Sequence, residues 1–121
     1  MANIKFIIGD VTIEAKLRRT PTAKKLLAAL PVETTGNYWG GEFYFEVPVT
    51  AEAEPDATSV VEPGTVAFWT AGQCLCLFWG PTPASRGEEC RAASSVNIVG
   101  TVINRNDLPR LKALRVRVEA A

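Results

Sequence analysis

Three cysteines are the first candidates for chemistry in this sequence. Cys74 and Cys76 are two residues apart in a predicted strand, so their thiols point to one face and, with Cys90, could bind a metal. We favour the simpler interpretation that they are small core residues. Redox sensing by Cys90 is an alternative, because the cations of Arg86 and Arg91 would lower the pKa of its thiol.

A pair of carboxylates, Glu42 and Glu46, is the second candidate, since two carboxyl groups can hydrolyse glycosides. Four residues along a strand separate them by roughly 13 Å, which exceeds the spacing that such mechanisms use. We therefore interpret both as part of a solvated strand face.

The usual catalytic equipment is otherwise missing from the sequence. There is no histidine, which removes the most common general base and metal ligand and every Ser-His or Cys-His pair. The GxxxxGK[ST] and GxGxxG motifs that bind phosphate groups are missing as well. We expect no nucleotide chemistry, no metal and no cofactor.

The aromatic residues of the sequence favour a binding function over a catalytic one. They could line a groove for an apolar or proline-bearing ligand, although each could equally be core. The loop from Gly80 to Gly87 could present peptide N–H groups beside them, or serve as a rigid crossover. The candidate groove residues are Trp39, Tyr44, Phe68, Trp69, Phe78, Pro81, Thr82, Ser85 and Arg86.

A hairpin and a helix are predicted in the first thirty residues, ahead of these candidates. Apolar residues alternate on both sides of Gly9-Asp10, which predicts two strands joined by a tight turn. Thr20 then offers an N-cap oxygen and Pro21 a first helical position, and apolar residues recur at helical spacing until Pro31.

The remaining elements are predicted strands separated by glycine and proline turns. Alternation in residues 42–47 places two phenylalanines and a valine, Phe43, Phe45 and Val47, on a core face. The later elements are strands at 65–69 and 74–79, a loop at 80–94, a strand at 96–103, a turn of helix capped by Asp107, and a strand at 114–118. We predict one mainly β domain over residues 1–121, a small closed barrel or alternatively a sandwich.

Net charge and composition exclude some classes of partner and indicate the cellular compartment. The formal net charge is zero, so we expect neither nucleic acid nor an anionic membrane as partner. The N-terminus from Met1 to Lys5 has no basic leader followed by an apolar segment, and an odd number of cysteines is not a disulfide framework. We therefore expect a cytoplasmic protein. No lysine or arginine occurs from Leu26 to Ser85.

Several segments together resemble a known family. They are TPTAKKLLAALP, NYWGGEFYFEVPV, EPGTVAFW, LFWGPTPASRGEE and VNIVGTV. In this order they are similar to the small prokaryotic cyclophilin-like proteins, and the similarity extends from Ile4 to Val118. The patterns W-G-x-E-x-Y-F-E and F-x-G-P-T-P are its most specific parts. The resemblance implies a closed cyclophilin-like β-barrel of about eight strands with one or two short helices.

The resemblance does not carry the activity of true cyclophilins, which are peptidyl-prolyl isomerases. Their catalytic arginine stands in a Phe-His-Arg segment on a strand after the first helix, where this chain has Tyr38 to Phe45 without histidine or arginine. Our leading interpretation is a non-catalytic domain that binds a proline-containing peptide or a small apolar ligand. The alternatives are an isomerase that uses Arg86 or Arg91, and a structural or oligomeric module.

Overall fold

Ten strands, one α-helix and one 3₁₀ helix make up the computed structural model, which describes residues 2–121. The prediction that the N-terminus is not a leader begins at Met1, and this residue lies outside the described residues. The elements in chain order are β1 (Asn3–Ile8), β2 (Val11–Leu17), α1 (Pro21–Ala29), β3 (Val32–Thr35), β4 (Asn37–Tyr38), β5 (Glu42–Glu46), β6 (Thr58–Val61), β7 (Thr65–Trp69), β8 (Cys74–Phe78), β9 (Cys90–Val102), the 3₁₀ helix (Arg105–Arg110) and β10 (Arg115–Ala120).

The predicted hairpin and helix are confirmed. β1 and β2 pair in register from Asn3 with Lys16 to Ile8 with Val11, and Gly9 between them has a φ of +61°. α1 begins at Pro21, and the Thr20 hydroxyl accepts a hydrogen bond from the N–H of Ala23 at 3.2 Å. These features are local, because they depend on residues that are close in sequence.

All strand pairs are antiparallel, and they form one sheet in the order β3-β10-β1-β2-β9-β7-β8-β5-β4, with β6 paired to β9 off this path. The mainly β fold with one short α-helix is thus confirmed. The predictions of a closed barrel and of about eight strands are wrong, because the sheet has ten strands and among residues 2–121 no ladder joins its ends, β3 and β4. The alternative prediction of a sandwich is wrong as well, because the strands form one sheet instead of two.

The two ends of the sheet, β3 and β4, lie on either side of Gly36 in the chain. The N–H of Gly36 donates to the carbonyl of Leu114 at 2.8 Å, just beyond the ladder between β3 and β10. After Gly36 the chain changes partner, and β4 pairs with β5 instead. One extended segment is therefore divided between the two ends of the sheet.

Prediction failed most clearly where a strand depends on a distant partner. β3, β4 and β6 have four residues or fewer and were not predicted. β9 was predicted to begin at residue 96 but begins at Cys90, inside the predicted loop. β6 pairs with this early part of β9 through Val60 with Arg91 and Val61 with Cys90.

Alternation along the strands gives the sheet two packed faces. The inner cluster is the main core and contains the predicted Phe43, Phe45 and Val47, together with Leu26 of α1 and Leu108 of the 3₁₀ helix. The outer cluster lies on the other face and consists of Val61, Ala67, Cys74, Cys76, Phe78, Cys90, Ala92 and Val96. The half-buried Tyr44, Trp69 and Ile98 pack against it.

Ion pairs connect the basic ends of the chain to its stretch without lysine or arginine. Glu33 contacts Arg115 at 3.0 Å and Arg117 at 3.1 Å, and Arg18 contacts Asp56 at 2.8 Å. The uneven distribution of charge along the sequence is thus partly balanced within one chain. Among residues 2–121, no helix has the length and hydropathy that crossing a membrane requires.

Candidate functional site

A cavity of about 200 Å³ opens on the outer face of the sheet. Its lining combines three aromatic side chains, one carboxylic acid, one thiol and small apolar residues. The lining residues are Trp39, Glu42, Tyr44, Trp69, Cys76, Ala92, Ala93 and Val96. The cavity is thus mainly apolar with a single acidic group.

Strand register brings the floor of the cavity together. Glu42 and Tyr44 are two residues apart on β5 and therefore project to the same face. Tyr44 lies opposite Cys76 of β8. On the next two strands of the sheet, Trp69 of β7 lies opposite Val96 of β9. The cavity therefore spans four neighbouring strands.

A glycine turn positions Trp39 and Glu42 at one side of the cavity. The N–H of Trp39 donates to the carbonyl of Glu42 at 2.8 Å, which closes the turn through Gly40 and Gly41. A Cβ on Gly41 would lie 2.5 Å from the backbone of Gly80, too close for any other residue. This close approach explains the second glycine of the W-G-G-E sequence, and the first, Gly40, has a positive φ of +61°.

Trp69 forms the opposite side of the cavity, and two neighbours hold its ring. Its indole Nε1 donates to the hydroxyl of Ser94 at 2.6 Å. The ring also covers Gly72, where a Cβ would come within 2.2 Å of it. The indole is therefore fixed at both its polar and its apolar edge.

The remaining wall comes from an irregular part of β9. β6 pairs with β9 through Cys90, Arg91 and Val96, and the register of this ladder shifts between Thr58 and Val60 of β6. Ala92 and Ala93 lie within the irregular part and line the cavity. Bulges and irregular pairing of this kind bend a strand and are common beside binding sites.

Glu42 is buried, which corrects the prediction of a solvated face. Its exposed fraction is 5%, whereas Glu46 on the same strand is exposed as predicted. Burial raises the pKa of Glu42 from 4.5 to about 7, and a hydrogen bond from the Cys76 thiol only partly opposes this effect. Period-two alternation could not reveal the difference, because both residues lie on the same face.

The three cysteines are free and buried. Burial raises the pKa of each thiol, and nearby carboxylates, including Glu42 at Cys74 and Cys76, raise it further. The prediction that arginines lower the pKa of Cys90 is wrong, because Glu62 and Glu89 add to the effect of burial there. Between residues 2 and 121, no group of three or more Cys, Asp and Glu side chains could hold a metal ion.

Three of the predicted groove residues, Trp39, Tyr44 and Trp69, do line the cavity. Phe78 lies in the outer cluster, fully buried, and does not reach the lining. Phe68 is 1% exposed and lies in the inner cluster. Neighbours in a strand point to opposite faces, so Phe68 and Trp69 could not share a groove, and the sequence alone contained this signal.

The predicted loop residues support the site from outside it. The Thr82 hydroxyl donates to the carbonyl of Arg91, and the Ser85 hydroxyl donates to the carbonyl of Glu89 at 2.6 Å. The N–H of Thr82 donates to the Ser85 hydroxyl at 2.9 Å. These groups satisfy one another, and the loop as a whole fixes the start of β9.

Pro81 and the two arginines lie outside the cavity lining. Pro81 is exposed, and its carbonyl accepts a hydrogen bond from the N–H of Gly41 at 2.7 Å. The side chain of Arg91 contacts Glu89 at 2.9 Å. Arg86 is exposed, and its N–H donates to the same carboxylate at 2.9 Å. That carboxylate has a pKa lowered to about 2.

Comparisons with known proteins identify relatives of the whole chain. A family model described as cyclophilin-like matches residues 2–119. The solution structure of the hypothetical protein AF2241 from Archaeoglobus fulgidus is similar, with a TM-score of 0.83 and 34% identity over 99% of this chain and 95% of that one. No curated protein matches the chain.

Proposed function

This chain belongs to the cyclophilin-like family, and we propose that it is a binding domain whose ligand is a small, largely apolar molecule held in the cavity of the outer face. One observation carries the proposal. Trp39, Tyr44 and Trp69 converge on one cavity of about 200 Å³, although Trp69 comes from a segment of the chain separate from that of Trp39 and Tyr44.

The size of the cavity favours a small ligand over a peptide. Typical ligand pockets have volumes of roughly 300 to 1,000 Å³, and this one lies below that range. It is lined by apolar and aromatic groups with a few polar ones, which is the usual composition of a small-molecule site. A cavity of about 200 Å³ is too small to enclose a peptide of several residues.

The alternative of a peptidyl-prolyl isomerase has less support. Isomerisation is helped by a cation that withdraws the lone pair of the prolyl nitrogen and so weakens the amide resonance. Neither Arg86 nor Arg91 lines the cavity, and both contact Glu89. Exchange between cis and trans Xaa-Pro peptides, measured by NMR, should be no faster with the protein than without it. An acceleration that Arg86→Ala or Arg91→Ala abolishes would favour the isomerase instead.

The indole N–H signals of the three tryptophans provide a direct test of binding. Trp39 and Trp69 line the cavity, while Trp79 packs against the inner cluster beside Tyr38 and serves as an internal control. A small-fragment library is added to ¹⁵N-labelled protein, and Trp→Phe variants assign the three signals. We expect the binding fragments to shift the Trp39 and Trp69 signals and to leave Trp79 unchanged.

A blocking variant makes this test specific to the cavity. Ala93 lines the cavity but is exposed at the surface, so Ala93→Phe should fill the cavity without disturbing the core. Ser95→Phe, two residues along β9 and outside the lining, is the matched control. Fragments should lose affinity only for Ala93→Phe. Equal binding to both variants, or no fragment that shifts Trp39 or Trp69, would refute the proposal.

A cytoplasmic location completes the proposal. Its support is that all three cysteines are free thiols, as is usual for proteins in reducing compartments. An oligomeric module is the remaining alternative. In that case gel filtration at two concentrations would show association, and the cavity variant Ala93→Phe would change it.

A further inference from the structure

Glu42 is a buried acid that has no cationic partner among the residues that the structure describes, 2–121. None of the ion pairs among residues 2–121 includes it, and no lysine or arginine lines the cavity. No basic group contributes to its pKa either. A buried carboxylate without a partner is costly, so proteins rarely keep one unless it has a task.

The aromatic side chains around Glu42 favour a positive charge as well. The faces of tryptophan and tyrosine rings carry negative electrostatic potential and attract cations, most strongly where water is excluded. Trp39, Tyr44 and Trp69 surround the same small cavity as the carboxylate. Two independent features of the lining therefore attract the same kind of ligand.

We propose that the cavity binds a small organic ammonium ion, with the aromatic rings around its alkyl groups and the carboxylate of Glu42 as its counter-ion. This inference rests on the proposed function, because it names the class of ligand for the same site. Methyl or methylene groups on the nitrogen would contact the rings together with Ala92 and Val96. Inorganic cations lack such groups and would fit the apolar lining poorly.

The protonation state of Glu42 should control this binding. Burial raises its pKa to about 7, so the acid is mostly neutral below that pH and mostly ionised above it. The other titratable groups in the lining are Tyr44 and Cys76, and burial raises the pKa of Cys76 well above the usual range. Cys74, on the same strand as Cys76, also has a raised pKa. Glu42 is thus the group in the lining that changes charge near neutral pH.

Choline and 3,3-dimethylbutan-1-ol test the charge directly, because the second compound replaces the nitrogen of choline by carbon and keeps its shape. Both are titrated into the protein at pH 8 while the indole signals are followed. We expect choline to bind at least tenfold more tightly than the neutral compound. Below pH 7 its affinity should fall about tenfold per pH unit, while the affinity for the neutral compound stays constant.

Variants assign the preference to Glu42. Glu42→Gln should lose most of the preference for choline and keep only the part that the aromatic rings contribute. The matched Glu46→Gln, four residues along the strand and exposed, should keep the full preference of the wild type. The comparison of the two compounds in the wild-type protein remains decisive if Glu42→Gln does not fold.

The outcomes separate this inference from the proposed function. Equal affinity of wild-type protein for both compounds would overturn the ammonium ligand and leave an apolar ligand site. Absence of binding by both would overturn the ammonium ligand as well, and the fragment experiment would then decide the proposed function by itself. Shifts confined to Trp79 would place binding outside the cavity and overturn the inference.

Discussion

Replacing Glu42 by glutamine should change how the stability of the protein depends on pH. The pKa of this carboxyl rises from 4.5 to about 7 on folding because the group is buried, with an exposed fraction of 5%. Between these two pH values the folded state binds more protons than the unfolded state. The free energy of unfolding therefore falls as the pH rises from 4.5 to 7, and the effect is complete above 7.

The expected magnitude follows from the two pKa values. One pH unit of difference corresponds to about 1.4 kcal/mol, so ionisation of Glu42 should lower the free energy of unfolding by about 3 kcal/mol. For a chain of 121 residues this corresponds to a change of about 10 °C in Tm. Glutamine is neutral at every pH, so its free energy of unfolding does not contain this loss. The free energy of unfolding of Glu42→Gln, relative to that of the wild type, should therefore increase by about 3 kcal/mol between pH 4.5 and 8.

Urea titrations followed by tryptophan fluorescence at several pH values measure this difference. The sequence contains no histidine, so few other side chains titrate between pH 5 and 8. Glu46→Gln, an exposed position on the same strand, is the control and should differ from wild type by an amount that does not vary with pH. A difference between wild type and Glu42→Gln that stays constant within about 0.5 kcal/mol would refute the argument.

Three further predictions concern the close approach at the glycine turn, the inner core and the thiols. Gly41→Ala should lower the free energy of unfolding, measured by urea titration, by more than about 1 kcal/mol, because its Cβ would collide with the backbone of Gly80. Gly87→Ala, whose Cβ has its nearest neighbour at 3.5 Å, is the control and should cost less than about 0.5 kcal/mol. Phe68→Ala should lower the free energy of unfolding by about 3 to 5 kcal/mol, since the ring is 1% exposed in the inner cluster. A loss below 1 kcal/mol would mean that Phe68 is not part of the core. The three buried thiols should resist Ellman's reagent at pH 8 and react only after unfolding, so a thiol that reacts at once in the folded protein would contradict its raised pKa.

The elements that sequence patterns predicted correctly are those with local causes. The turn at Gly9, the N-cap at Thr20 and the core face of Phe43 and Phe45 each depend on residues within a few positions. The resemblance to the cyclophilin-like proteins also extended along nearly the whole chain, and the family match confirms it. Local propensity and one-residue alternation suffice for such features.

The candidate site was predicted only in part, because its members come from distant segments. From the sequence we place Trp39, Tyr44 and Trp69 in the candidate groove, but we interpret Glu42 as solvated and do not include Ala93. Glu42 and Glu46 look equivalent in the sequence, since both lie on the polar face of one strand. They differ in burial, because neighbouring segments cover Glu42 and leave Glu46 exposed. The alternation of residues along the strand does not predict this difference.

The amino-acid sequence by itself determined the class of the fold, the local elements and the absence of histidine chemistry, because these follow from residue types and short-range spacing. The tertiary structure decided that the sheet stays open at Gly36 and that the pairing of β6 with β9 becomes irregular beside the cavity. It also decided that the carboxyl group of Glu42 is buried away from solvent. These outcomes depend on contacts between residues tens of positions apart, and the burial that such contacts produce is what gives a carboxyl group a pKa near neutral pH.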